Sequence, residues 1–131
     1  MRLPSVAAAV AATLVMVAPA FAHHGLAQEF DLRDEAKIFL KGRITKVYWQ
    51  NPHIYYSMEV VDGDGKIQVY NIESVPVAFA RNAGLTSKRL MGDGQPVEVT
   101  IRPGLKNPHL GFGTYLKYAD GFVVTFEGFR E

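Results

Sequence analysis

Apolar and polar residues alternate in short runs along most of this chain, and turn-forming residues break the runs at close spacing. Residues 38–49 (IFLKGRITKVYW) are rich in β-branched and aromatic side chains and carry Gly42 internally, which predicts a long strand bent at that glycine. Asn51-Pro52 then interrupts the pattern, and residues 53–61 (HIYYSMEVV) predict a second strand. The turn Asp62-Gly63-Asp64-Gly65 joins it to a third over 66–72, since Asp-Gly between two such runs is a strong hairpin signal. Residues 75–84 (VPVAFARNAG) change character: Pro76 suits a first helical turn and Gly84 a stop, so one short helix is expected. Residues 85–90 offer a further turn, and Gly92-Asp93-Gly94 a loop. Period-two alternation returns over 96–102 and much of 113–118, and Asp120-Gly121 turns the chain into 122–129. A polar stretch, 23–37, leads into the first strand.

Three strands, a helix and two or three closing strands are the element order of a small, partly open barrel of the OB type. A barrel this small needs one strand to bend and serve both halves of the sheet, a role that fits the glycine-bearing first strand. A β-sandwich is the alternative, and the helix before the fourth strand argues against it. The fold class expected is mainly β, an OB-like β-barrel.

The amino-terminal stretch has a different logic. Arg2 is followed by an apolar run and then by Ala18-Pro19-Ala20-Phe21-Ala22, the layout of a cleavable signal peptide over 1–22. A membrane anchor is the competing reading, but about 18 apolar residues are needed to cross a bilayer and Pro19 interrupts the run early. Cleavage after Ala22 leaves one domain, 23–131; cleavage after Ala20 also satisfies the small-residue rule. The expected location is periplasmic or secreted, with no stable membrane insertion after cleavage. The sequence contains no cysteine, which excludes thiolate metal sites, thiol catalysis and disulfides. The whole chain holds 14 Lys+Arg against 13 Asp+Glu, so nothing in its charge recruits a nucleic acid.

The four histidines are placed unusually. His23 and His24 open the expected mature chain, while His53 and His109 each end an Asn-Pro-His triplet. Proline fixes its own φ and restricts the residue before it, so each triplet launches its histidine in a defined direction. One reading is that His53 and His109 cap turns at a barrel end. The other is a metal site, because imidazole is the commonest protein metal ligand and a freshly cut α-amino group, with a pKa of about 8, is a second nitrogen donor. A nitrogen-rich set from His23, His24, His53 and His109 favours Cu(II), with zinc second.

No catalytic constellation accompanies them. Glu29, Asp31, Glu59, Glu73 and Glu127 show no recognised spacing for acid–base work, and Glu59 and Glu73 read as solvated outward positions. Ser57, Ser74 and Ser87 lack a nucleophile elbow. The chain is therefore read as a binding domain, not an enzyme. Tyr48, Trp49, Tyr55, Tyr56 and Tyr70 gather on the first three strands, the face on which OB folds stack bases or sugars. This supports an alternative function: a metal-free accessory module that binds a partner protein or a glycan.

With these residues in view, the chain resembles a family of small exported bacterial proteins of uncharacterised function that open their mature region with a histidine pair. The resemblance rests on His23-His24-Gly25, Glu29-Phe30-Asp31, Gly42-Arg43-Ile44-Thr45-Lys46-Val47 and above all Trp49-Gln50-Asn51-Pro52-His53. It covers roughly residues 20–104 and implies a single exported domain without implying an activity. Gly25 stands where that family usually has serine, and the second triplet, Asn107-Pro108-His109, is not part of its pattern.

Overall fold

A computed structural model describes residues 25–130 and gives six strands in one continuous sheet. They are β1 (Ile38–Tyr48), β2 (Tyr55–Val61), β3 (Ile67–Glu73), β4 (Pro96–Pro103), β5 (Leu110–Tyr118) and β6 (Val123–Thr125). Neighbours run antiparallel in the order β3-β2-β1-β4-β5-β6, and a parallel pairing of β3 with β5, Asn71 to Leu110 through Glu73 to Phe112, brings the two halves of the sheet together. The expected OB-like class is the observed one. The expected signal peptide, 1–22, and the pair His23-His24 lie outside the described residues.

The first strand serves both halves of the sheet, pairing with β4 over Ile38–Arg43 and with β2 over Arg43–Tyr48. Its bulge is at Thr45, the extra residue between the pairs Ile44–Met58 and Lys46–Ser57. A bulge reverses which face later residues occupy. Leu40 and Ile44 point inward before it and Val47 and Trp49 pack against the core after it, which sends Tyr48 outward, 51% exposed. Gly42, beside the change of partner, permits close packing: a Cβ there would collide with the Glu59 carbonyl oxygen on β2. A second bulge, at Thr114 on β5, lies opposite the step from Thr100 to Ile101.

Between β3 and β4 the chain forms α2 (Val77–Asn82) and α3 (Ser87–Met91), where the sequence pattern predicts one helix and a further turn. Helix α2 ends in a Schellman arrangement, with Gly84 at φ 88°, Gly84 N–H donating to Arg81 O and Leu85 N–H to Ala80 O. Thr86 Oγ1 caps α3 by accepting from Arg89 N–H at 3.1 Å. Ala80, Leu85 and Leu90 join the barrel's core, which also holds Ile44, Met58, Ile72, Ile101, Phe112 and Leu116.

The polar lead-in is not a loose arm. It forms α1 (Leu26–Glu29) and a 3-10 turn at Asp34–Ala36, and it is strapped to the barrel on two sides. Phe30, 6% exposed, enters the core against Phe112 and forms an isolated bridge with Gly104. Leu105 N–H donates to Glu29 O, and Asp31 N–H to Pro103 O. Arg102 completes the strap with bonds to Leu32 O at 2.7 Å, Asp34 at 3.1 Å and Glu127 at 3.2 Å, and Lys37 bridges the same two carboxylates.

Candidate functional site

Hairpin register builds the centre of the site. Tyr55 pairs with Glu73, and the ladder continues as Ile54 N–H donates to Val75 O and Ser74 N–H to Ile54 O. His53 therefore lies diagonally across from Glu73 on the outward face, within reach of long side chains. The two meet: His53 Nδ1 is hydrogen-bonded to Glu73 Oε1, with both side chains mostly covered at 14% and 15% exposure. The His53 ring also meets Phe129 edge-on, with centroids 6.4 Å apart. A carboxylate on Nδ1 sets the ring's orientation and places the lone pair of the neutral imidazole on Nε2, the arrangement that supports many metal-bound histidines.

The loop before His53 is held from elsewhere. Asn51 Oδ1 accepts from Val77 N–H at 3.1 Å and so closes the start of α2, and the Asn51–Pro52 peptide is cis. The first Asn-Pro-His triplet thus ties the β1–β2 loop to the helix and delivers its histidine to β3.

The second triplet does something different. In the β4–β5 loop, Asn107 Oδ1 accepts from His109 N–H at 2.9 Å, and His109 O accepts from Asn71 N–H at 2.9 Å. The His109 ring packs on Tyr70, centroids 4.8 Å apart. Tyr70 and Glu73 are three positions apart on β3, hence on opposite faces and about 10 Å apart along the strand. The structure does not bring His53 and His109 onto a common partner. Among the described residues no group of three or more His, Cys, Asp or Glu is arranged to hold a metal ion.

The start of the described chain and the His53 ring share one neighbour, Phe129. Gly25, Leu26 and Ala27 line a cleft of about 360 Å³ together with Phe129, the residue that the His53 ring touches. A larger cleft, about 620 Å³, opens between the lead-in, the β2–β3 face and the β4–β5 loop; Gln28, Tyr55, Asn71, Glu73, Lys106 and Asn107 are among its walls.

The five aromatics named from the sequence do not form one face. Tyr56 is fully buried and Trp49 and Tyr70 pack against the core, leaving Tyr48 and Tyr55, direct cross-strand partners, exposed. Of the carboxylates, Glu127 works in the strap. Burial raises its pKa, but bonds from Thr114, Lys37 and Arg102 outweigh that and leave it lowered. Asp31 is held at about 2 by its hydrogen bonds from Arg33.

The fold and loops define an OB-like domain whose two Asn-Pro-His loops flank the parallel β3–β5 seam. The chain belongs to a family of unknown function, DUF6152, whose model matches residues 10–112. That match takes in both triplets and Glu73 and stops short of β6 and Phe129. No curated protein and no solved structure matches the chain.

Proposed function

We propose that this protein is exported by cleavage after Ala22 and that the mature domain binds one Cu(II) ion through His23, with its new α-amino group, His24 and His53. Glu73 holds the His53 ring for that task. The observation that carries the reading is the oriented His53–Glu73 pair next to Phe129, whose cleft also contains Gly25, the residue that directly follows the histidine pair. His24 directly precedes Gly25, so the amino-terminal nitrogens are tethered within a few residue lengths of that cleft, at no more than about 3.6 Å per residue. Nitrogen donors of this kind rank Cu(II) above Zn(II). His109, which packs on Tyr70, is left out of the proposed set.

The test is a titration of the chain beginning at His23 with Cu(II), followed by the visible absorption and electron paramagnetic resonance of the bound ion. One equivalent should bind with nitrogen hyperfine structure, and His53→Ala should weaken it at least about tenfold, one lost ligand. His109→Ala should leave it unchanged. Absence of binding, or equal binding by His53→Ala, overturns the proposal.

A further inference from the structure

The cleft of about 620 Å³ beside the parallel seam has a lining that matches a ligand class of its own, apart from any metal. It lies within the roughly 300–1,000 Å³ range of small-molecule sites. Two side-chain amides on its wall are oriented by the protein itself. Ser57 Oγ donates to Asn71 Oδ1 at 2.8 Å, and His109 N–H donates to Asn107 Oδ1 at 2.9 Å. With each oxygen engaged, each amide presents its NH2 group as a donor. Glu29 and Glu73 add acceptors and Lys106 a further donor, so the wall mixes both hydrogen-bonding senses and both signs of charge. Such a wall holds no strong field for a charged ligand. It suits hydroxyl groups, which donate and accept at once.

The apolar part of the wall is equally specific. Tyr55, 41% exposed, lines this cleft together with Leu105 and Leu110, 56% and 45% exposed. An aromatic face over which C–H groups can lie, flanked by hydroxyl-binding amides, is the chemistry that fits a pyranose ring. Tyr55 and Asn71 also line a second, adjoining cleft of about 340 Å³ that includes Tyr48 and Gln50. The surface therefore continues beyond one sugar unit. An extended peptide is the poorer fit, because a peptide recognised through its backbone needs an open strand edge, and β3 at Asn71–Glu73 is already paired on both sides, with β2 and with β5.

We infer that this cleft binds a neutral oligosaccharide, with Tyr55 as the stacking platform and the Asn71 and Asn107 amides as hydroxyl donors. The site shares Glu73 with the His53 pair but needs no metal, so its test uses metal-free protein.

The experiment is nuclear magnetic resonance titration of the isotope-labelled chain beginning at His23, in chelator, with cellohexaose, maltohexaose and chitohexaose, and with a neutral hexapeptide of glycine and serine. At least one saccharide should shift the amides of Tyr55, Asn71 and residues 105–107 at concentrations up to about 10 mM, the weak-binding range. Tyr55→Ala should raise its Kd about tenfold and Tyr55→Phe should leave it within about twofold, since the ring face survives. Leu105→Ala, at an exposed loop position, supplies an independent variant that should lose affinity without disturbing the fold. Silence of these amides toward all three saccharides overturns the inference. So does a response to the peptide alone, or saccharide binding unaffected by both Tyr55→Ala and Leu105→Ala.

Discussion

Removing one hydroxyl from the centre of the barrel should make this protein more stable. Tyr56 is 1% exposed, and its Oη has no hydrogen-bond partner among the described residues. The hydroxyl occupies space that the absent side chain of Gly113 leaves, since a Cβ there would strike it. An unmade buried hydrogen bond costs about 1–3 kcal/mol, whereas the dispersion attraction of one oxygen is worth ~0.1–0.2 kcal/mol per neighbouring atom and sums to less than ~1 kcal/mol. Tyr56→Phe should therefore gain about 1 kcal/mol, raising Tm by roughly 4–8 °C in a domain of this size. A second consequence follows from ionisation. Burial pushes the Tyr56 phenol far above its ordinary range, with Tyr118 adding to the shift. The unfolded chain then releases a proton from about pH 10 upward that the folded chain retains. Ionisation of this group leaves stability untouched below about pH 10 and lowers it progressively as pH rises beyond that. Tyr56→Phe should flatten that alkaline loss. Tyr118, raised chiefly by burial and bonded through its hydroxyl to Leu90 O, should preserve part of it. Thermal and urea unfolding followed by circular dichroism from pH 7 to 11 measure both effects. A lower Tm for Tyr56→Phe at neutral pH, or an alkaline slope equal to wild type, refutes the reasoning.

Three further outcomes are expected. Gly42→Ala forces a Cβ onto the Glu59 carbonyl oxygen and should cost about 1–3 kcal/mol or more, read as a lower urea midpoint; an unchanged midpoint contradicts the close approach. Phe30→Ala should cost about 3–5 kcal/mol and raise hydrogen exchange at Asp31 and Leu105, whose amides bond across the strap, whereas a loose lead-in would show neither effect. At the acid end, Asp31 should titrate near pH 2 by carboxyl carbon resonance, because its bonds from Arg33 favour the charged form. Its folded pKa is depressed, so its contribution to stability is present above about pH 4 and is lost as pH falls toward 2. A midpoint near 4 would mean that the Arg33–Asp31 pair does not persist in solution.

The barrel is legible in the sequence because its signals are local: period-two alternation, the Asp-Gly hairpin turn, and Pro76 and Gly84 around a helix. The lead-in is hidden for the opposite reason. Residues 23–37 are polar overall, and what fixes the described part, from Gly25 on, is the burial of Phe30 with Leu26 beside the core, together with pairing to Pro103 and Leu105 some seventy residues away, which no local pattern encodes. The aromatic face fails as a unit because the Thr45 bulge and the inward parity of Tyr56 redistribute it between core and solvent. Glu73 is the instructive case. Strand parity makes it an outward, solvated carboxylate, and it does face outward, but counting the ladder back from the Val61–Ile67 pair places it diagonal to His53. That count follows from the turn alone. The neighbour of the second triplet is beyond such reasoning: nothing in Asn107-Pro108-His109 announces Tyr70.

The proposed copper site stands or falls on the amino terminus, and native mass spectrometry of two defined forms tests it most directly. Both begin at His23, one with a free α-amino group and the other with that group acetylated, each presented with a single equivalent of Cu(II) and with competing Zn(II). The expected result is one copper on the free form, and at least about tenfold weaker uptake by the acetylated form, in which the α-amino nitrogen is no longer a donor. Equal uptake by both forms, or none by either, would contradict it.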